Sequence, residues 1–189
     1  MGKLTDGFGE FELKKSSIKM LKGEGTFETL GCVGSFEESF GTKVVTQKCE
    51  GKVVKQRTVP DGTGTLKLSL HMKWPAYVKM YGLGREKLKD GVYAYGAEKH
   101  EPFVYVCEAL DIDGNVKYKA YPNCVVSDGI ARKVENGGEE VAEVELNIAL
   151  AADENGECMY EAPAVELVDE EVKAKWLTNW NYELIKKAE

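Results

Sequence analysis

The amino-acid sequence predicts a mainly-β domain with one or two flanking α-helices, and three observations lead there. The first is residues 136–156, NGGEEVAEVELNIALAADENG, with Ala142, Val144, Leu146, Ile148 and Leu150 at even positions between two Gly-bearing turns. Glu143, Glu145 and Asn147 occupy the odd positions, and period-two alternation of this length marks a strand with one buried face. The second is TGTLKLSLHMKW, where Leu66, Leu68, Leu70 and Met72 share one face and Thr65, Lys67, Ser69, His71 and Lys73 the other. The third is the recurrence of turn signals between apolar runs, while helical spacing is confined to two places.

Taken in order, residues 1–25 mix Gly, Lys and apolar residues without a clean period and suit an extended arm or an edge strand. Residues 26–40, TFETLGCVGSFEESF, contain two Gly breaks and read as short strands joined by turns. KVVTQKCEGKVVKQRTVP (43–60) reads as two strands around Glu50-Gly51, or a long projecting hairpin whose Lys-rich character suits a segment reaching beyond the domain body. PDGTG is a strong turn signal before the Leu66–Met72 strand. Pro75 then suits the first turn of a short helix, WPAYVKMYGLG, where its missing N–H costs nothing. That helix is too short to stand without packing of Trp74, Tyr77, Val78 and Tyr81. DIDGNV reads as a hairpin connection, and Pro122 places the following run at an edge or a bulge. In the tail, Asp169 is an N-cap for a helix with Glu170 and Glu171 in its first turn and Val172, Trp176 and Leu177 on its buried side. One domain over 1–189 is expected, with 1–25 an N-terminal arm, 41–63 a long inter-subunit loop and 169–189 a C-terminal helical segment.

Charge narrows the function classes. Twenty-five Lys and Arg stand against 32 Asp and Glu, a formal charge of −7, which disfavours a protein whose task is gripping nucleic acid. Lys14, Lys15, Lys19 and Lys22 read as a solvated face. No apolar run is long enough to span a bilayer, and MGKLTD carries Asp6 where a myristoylation signal wants Ser or Thr. The five cysteines, Cys32, Cys49, Cys107, Cys124 and Cys158, are widely spaced and form no CxxC pair. Reduced thiols are expected, with Cys107 and Cys124 acting as small buried hydrophobes.

Residue chemistry gives no catalytic constellation. His71 lies on the polar face of its strand, and His100 sits between Glu98 and Glu101 in a loop, an ordinary charged loop before a metal site. DIDGN shares the opening of a calcium loop but lacks its later ligands, its glycine at the sixth position and its flanking helices. No nucleophile has an identifiable base. The expectation is of no enzyme activity, no catalytic residue, no cofactor and no metal.

The segments TVPDGTGTLKLSLHMKWPAYVKMYGLGREKLKDGVYAYG (58–96) and KAYPNCVVSDGIARKVENGGEEVAEVELNIALAADENGECMYEA (119–162) resemble the major tail proteins, or tail tube subunits, of long-tailed phages of Gram-positive bacteria, of the phi13 type. The resemblance runs roughly from residue 41 to residue 180. It implies a tail-tube fold, an antiparallel β-sandwich or partial barrel with a helix at its side. It further implies hexameric rings stacked into a tube that conducts DNA into the host. Self-association would be the main partnership, with tape measure, tail terminator and distal tail proteins as further partners, DNA as transient non-specific cargo, and no membrane. The protein would sit in the virion tail after assembly in the bacterial cytoplasm. Other readings are the tube of a contractile tail, a phage-derived particle, or a β-sandwich module for carbohydrate or a receptor. Because a basic lumen would hold duplex DNA, Glu143, Glu145 and Asn147 are expected to face the lumen, with Val144, Leu146 and Ile148 in the core. The same face could lie on the outer wall instead. A second candidate lumen face is Lys67, Ser69 and His71.

Overall fold

The structure, a computed structural model, describes residues 9–23, 25–134, 136–137 and 141–187. Its strands are β1 (Glu12–Met20), β2 (Glu28–Thr29), β3 (Gly31–Cys49), β4 (Lys52–Met72), β5 (Phe103–Leu110), β6 (Val116–Val126), β7 (Val144–Ala151) and β8 (Tyr160–Pro163). Three short helices accompany them: α1 (Trp74–Met80), α2 (Glu170–Asn179) and α3 (Tyr182–Ile185). The strands form one antiparallel, unclosed sheet in the order β2-β1-β5-β6-β7-β4-β3, with β8 paired to β6. Among the described residues no helix is long and apolar enough to cross a membrane.

The sheet curls so that β7-β4-β3 faces β1-β5-β6 across one core. Leu66, Leu68 and Leu70 of β4 and Leu146, Ile148 and Leu150 of β7 meet Ile18, Phe103, Tyr105, Cys107, Tyr121 and Cys124 there. These are the residues that alternation assigns to the inside, so the period-two reading of both strands holds. Helix α1 closes one end of this core with Tyr77, Met80 and Tyr81, and Pro75 occupies its first turn. The outer face of β5 and β6 is not left to water: Val104, Val106 and Ala120 are covered by Val172, Trp176 and Trp180. Asp169 caps α2 as its position predicts, accepting from Glu171 N (2.8 Å) and Val172 N (3.3 Å). The tail helix is broken at Trp180, and Asn181 caps the extra turn α3 by accepting from Leu184 N at 2.9 Å.

Three details depart from the sequence reading, the first being that PDGTG, read as a turn, runs within β4. Residues 31–49 form one 19-residue strand. Of the two glycines read as breaks, Gly31 opens this strand after β2, whereas Gly34 accompanies a register shift between Val33 and Ser35. A further shift between Phe40 and Thr42 falls at Gly41. A bulge keeps a strand continuous while bending it. The strand of the acidic stretch begins at Val144, later than alternation suggests, so Glu143 precedes it and Val141 is 80% exposed. Glu139 and Glu140 lie outside the described residues. Of the segment 1–25, in keeping with the strand alternative, residues 12–20 are β1, hydrogen-bonded to β5 along its length and to β2 only at Ser17 and Ile18. Residues 1–8 lie outside the described residues.

Pro122 shows why a proline sits inside a central strand. Residues 117–120 of β6 pair with β8 and residues 123–126 pair with β7, so Pro122 falls where one neighbour gives way to the other. The register with β5 also slips there, Phe103 facing Cys124 while Tyr105 faces Tyr121. The missing N–H is spent at a bulge.

Candidate functional site

Two surfaces follow from this arrangement, a polar sheet face and a projecting hairpin. The register of β4 with β7 sets Lys67 opposite Asn147 and Ser69 opposite Glu145. That of β3 with β4 sets Glu37 opposite Lys67 and Ser35 opposite Ser69. Directly opposed residues share a face. The two faces that sequence separates, Glu145 with Asn147 and Lys67 with Ser69, are therefore one continuous surface outside the core.

Carboxylates dominate it. Lys67 Nζ stands 3.5 Å from Glu37 Oε2, an exposed pair of small energetic weight. Asn147 Nδ2 donates to the Asp128 carboxylate, and Ser127 N donates to Asn147 O at 2.8 Å. Glu143, ahead of the strand, lies over β3: a Cβ at Gly34 would collide with its carboxylate. The bulge at Gly34 thus makes room for Glu143 at the border of the face. Glu145 is exposed, and among the described residues it forms no ion pair. His71, opposite Cys32, is exposed at the end of this surface.

The hairpin is the second surface, and it has the form read from residues 43–60, two strands joined at Glu50-Gly51. Pairing of β4 with β7 ends at Thr63, yet β3 and β4 continue to pair from Thr42–Pro60 out to Cys49–Lys52. The distal eight residues per strand extend about 25 Å beyond the rest of the sheet. Glu50 (φ 49°) and Gly51 (φ 78°) turn the tip, the pair of left-handed conformations of a tight hairpin. Val44, Val45, Val53 and Val54 are each more than half exposed. Lys43, Lys48, Lys52, Lys55 and Arg57 oppose only Glu50 and Asp61 in residues 41–63, although the whole chain is acidic.

The remaining chemical candidates are absorbed by structure. His100 Nδ1 is 2.7 Å from Val126 O and its Nε2 is 3.3 Å from the Tyr95 hydroxyl, while Glu101 pairs with Lys22 at 3.1 Å. The DIDGN carboxylate Asp111 accepts from Asp113 N, Asn115 N and Asn115 Nδ2 and so builds the β5–β6 turn. Among the described residues, no three His, Cys, Asp or Glu side chains gather as metal ligands. Burial pushes the Cys107 thiol up to about 12 and raises that of Cys124 too, so neither is a thiolate near neutral pH. Of the tryptophans, Trp176 and Trp180 are buried under 5% exposed, and Trp74 is 48% exposed.

The sequence matches no family model and no curated protein. Among solved structures, the fold is similar to the cap that terminates the tube of an anti-feeding prophage. That likeness has a TM-score of 0.43 at 12% identity and covers 87% of this chain and all of the cap chain.

One feature escaped sequence reasoning altogether. Lys119, fully buried, reaches Glu38 Oε1 at 2.6 Å and Glu10 Oε1 at 2.7 Å, and Tyr121 donates to the second Glu38 oxygen. This cluster ties the residues preceding β1 to β6 and to the root of the hairpin. In sequence, Lys119 in VKYKAY alternates like a solvent-facing lysine, and nothing local announces that α2 covers the other side of β6.

Proposed function

We propose that this chain is a structural subunit of a phage-tail-type tube, self-assembling into stacked hexameric rings that conduct DNA. The observation that carries the reading is the β3–β4 hairpin. A two-stranded ribbon standing alone is marginal in water, and this one exposes four valines as well as five cations. Such a ribbon is held in place when another copy covers it, and the acidic bodies of neighbouring copies offer the complementary charge. The sequence resemblance of residues 41–180 to tail tube subunits supports the same role. In that reading Glu145, Asn147 and the adjoining Glu143 and Glu37 line the lumen, where carboxylates repel phosphates and let duplex slide. The unclosed sheet leaves edges at β2 and β3 for pairing between copies.

Negative-stain microscopy of the purified full chain tests the role directly. Rings or tubes with an axial channel are expected. A chain that stays monomeric as concentration is raised overturns the reading.

A further inference from the structure

The turn between β5 and β6 holds an isoleucine out in water on a rigid mount. Asp111 Oδ1 accepts from Asp113 N at 3.0 Å and Asn115 N at 2.8 Å, its Oδ2 accepts from Asn115 Nδ2 at 2.8 Å, and Gly114 N donates to Asp111 O at 3.1 Å. These bonds fix residues 111–115 without using the side chain of Ile112, which is 80% exposed. Turns of this kind are built by Asp, Asn and Gly, so the apolar side chain serves no need of the turn. Beside it stands the exposed carboxylate of Asp113.

At the opposite end of the same two strands is a cleft of about 430 Å³, lined by Trp74, Leu83, Tyr93, Tyr95, Ile130 and Arg132. Its walls are braced. Trp74 stacks on Tyr77 at 5.6 Å, and Tyr93 meets Trp74 edge-on at 5.4 Å. Arg132 Nε donates to the Tyr77 hydroxyl at 3.1 Å, and the guanidinium lies 4.9 Å from the Tyr77 ring centre. Arg132 makes no ion pair among the described residues, in a chain with seven excess carboxylates. A fixed guanidinium with both terminal amino groups open is suited to a carboxylate. Trp, Tyr and Arg are also the residues that dominate interface energetics.

We infer that the Ile112–Asp113 knob of one copy seats in this cleft of a second copy. Ile112 packs against Trp74 and Ile130, and the Asp113 carboxylate pairs with Arg132. The inference rests on the self-assembly reading above and adds to it a specific contact. Its geometry follows from the sheet. The knob caps Leu110 and Val116. Tyr95 of the cleft contacts His100, whose Nδ1 lies 2.7 Å from Val126 O at the other end of β6. The eight-residue β5, about 26 Å long, therefore lies between knob and cleft. A knob and a hole on opposite ends of one molecule make a heterologous contact, each copy giving its knob to one neighbour and its hole to another. The β5–β6 hairpin is then the spacer that sets the repeat between copies.

The test uses the full chain, with assembly followed by sedimentation and negative stain. Ile112→Asp and Arg132→Glu are each expected to raise the concentration for half-assembly by roughly 30-fold, the effect of truncating a hot-spot residue. Combining Asp113→Arg with Arg132→Asp should restore assembly. Ile112 and Asp113 lie outside the core, so their variants keep the wild-type melting temperature and carry the test even where an Arg132 variant loosens its loop. If wild type assembles and the Ile112 and Asp113 variants assemble at the same concentration, the contact is wrong while the tube reading stands. If wild type never assembles, both fall.

Discussion

At the scale of single residues, Lys119 matters most to the fold. Its ammonium is fully buried and held by Glu10 and Glu38, with Tyr121 completing the Glu38 carboxylate. Removing one member of a buried ion cluster costs far more than the cluster contributes, because the partners are left uncompensated. Lys119→Met should therefore lower unfolding free energy by about 3–5 kcal/mol in urea titrations. Adding Glu38→Gln to it should recover part of that loss. The pH dependence has a definite sign. Burial acts to raise the Glu10 carboxyl, but the hydrogen bond and charge of Lys119 outweigh it and hold Glu10 below 4.5. A depressed carboxylate contributes stability above its ordinary value and loses it as pH falls through the depressed one. For Lys119, burial acts to lower the ammonium, while hydrogen bonds to Glu10 and Glu38 carry it above 10.5. Its contribution is complete below 10.5 and is lost as pH climbs past the raised value. The cluster thus stabilises across neutral pH and fails at both extremes. Glu10→Gln should flatten the acid limb of a stability–pH curve; an unchanged limb would remove Glu10 from the account.

Elements differ in how much they announce themselves. The core faces of β4 and β7, the proline-led α1, the Asp169 cap of α2 and the DIDGNV turn were all legible, because each rests on residues a few positions apart. The 19-residue continuity of β3 was not: Gly34 looks like a break, and only a partner strand turns it into a bulge, as it does at Gly41. Nor could alternation within single strands reveal that Lys67 and Glu145 share a face, since register is a property of the pair. The inward Lys119 was hidden for a related reason, as β6 is covered on both sides and the usual equation of polar with outward fails. On the proposed function, the hairpin beyond Thr42 and Pro60 is the element whose removal should separate folding from assembly. Among the described residues its distal part pairs with no other strand, so replacing residues 44–58 with a two-residue Asn-Gly turn should leave the melting temperature within a few degrees. The same truncation should abolish rings and tubes in negative stain. A truncated chain that still forms tubes would take the hairpin out of the assembly mechanism.

For the molecule as a whole, the proposed tube raises the question of which wall the acidic face would occupy. The sheet has one covered side over β5 and β6, where α2 packs, and one bare polar side over β7, β4 and β3. A conduit needs a surface that is continuous, polar and without cations free to grip phosphate. Here four carboxylates, Glu37, Asp128, Glu143 and Glu145, gather around a single ammonium, Lys67, itself paired with Glu37. That balance repels duplex DNA, and it can be inverted without touching the core. Converting Glu145 and Asn147 to Lys replaces exposed or half-exposed side chains, so folding should survive with a change in unfolding free energy of about 0.5 kcal/mol per site. If the face lines the lumen, tubes of the double variant should retain duplex DNA at low salt and release it steeply as salt rises, since each added phosphate contact steepens the salt dependence. That DNA should also be shielded from nuclease, which cannot enter the bore. Wild-type tubes should retain none. DNA that binds the variant tubes but is digested by nuclease would place Glu145 and Asn147 on the outer wall.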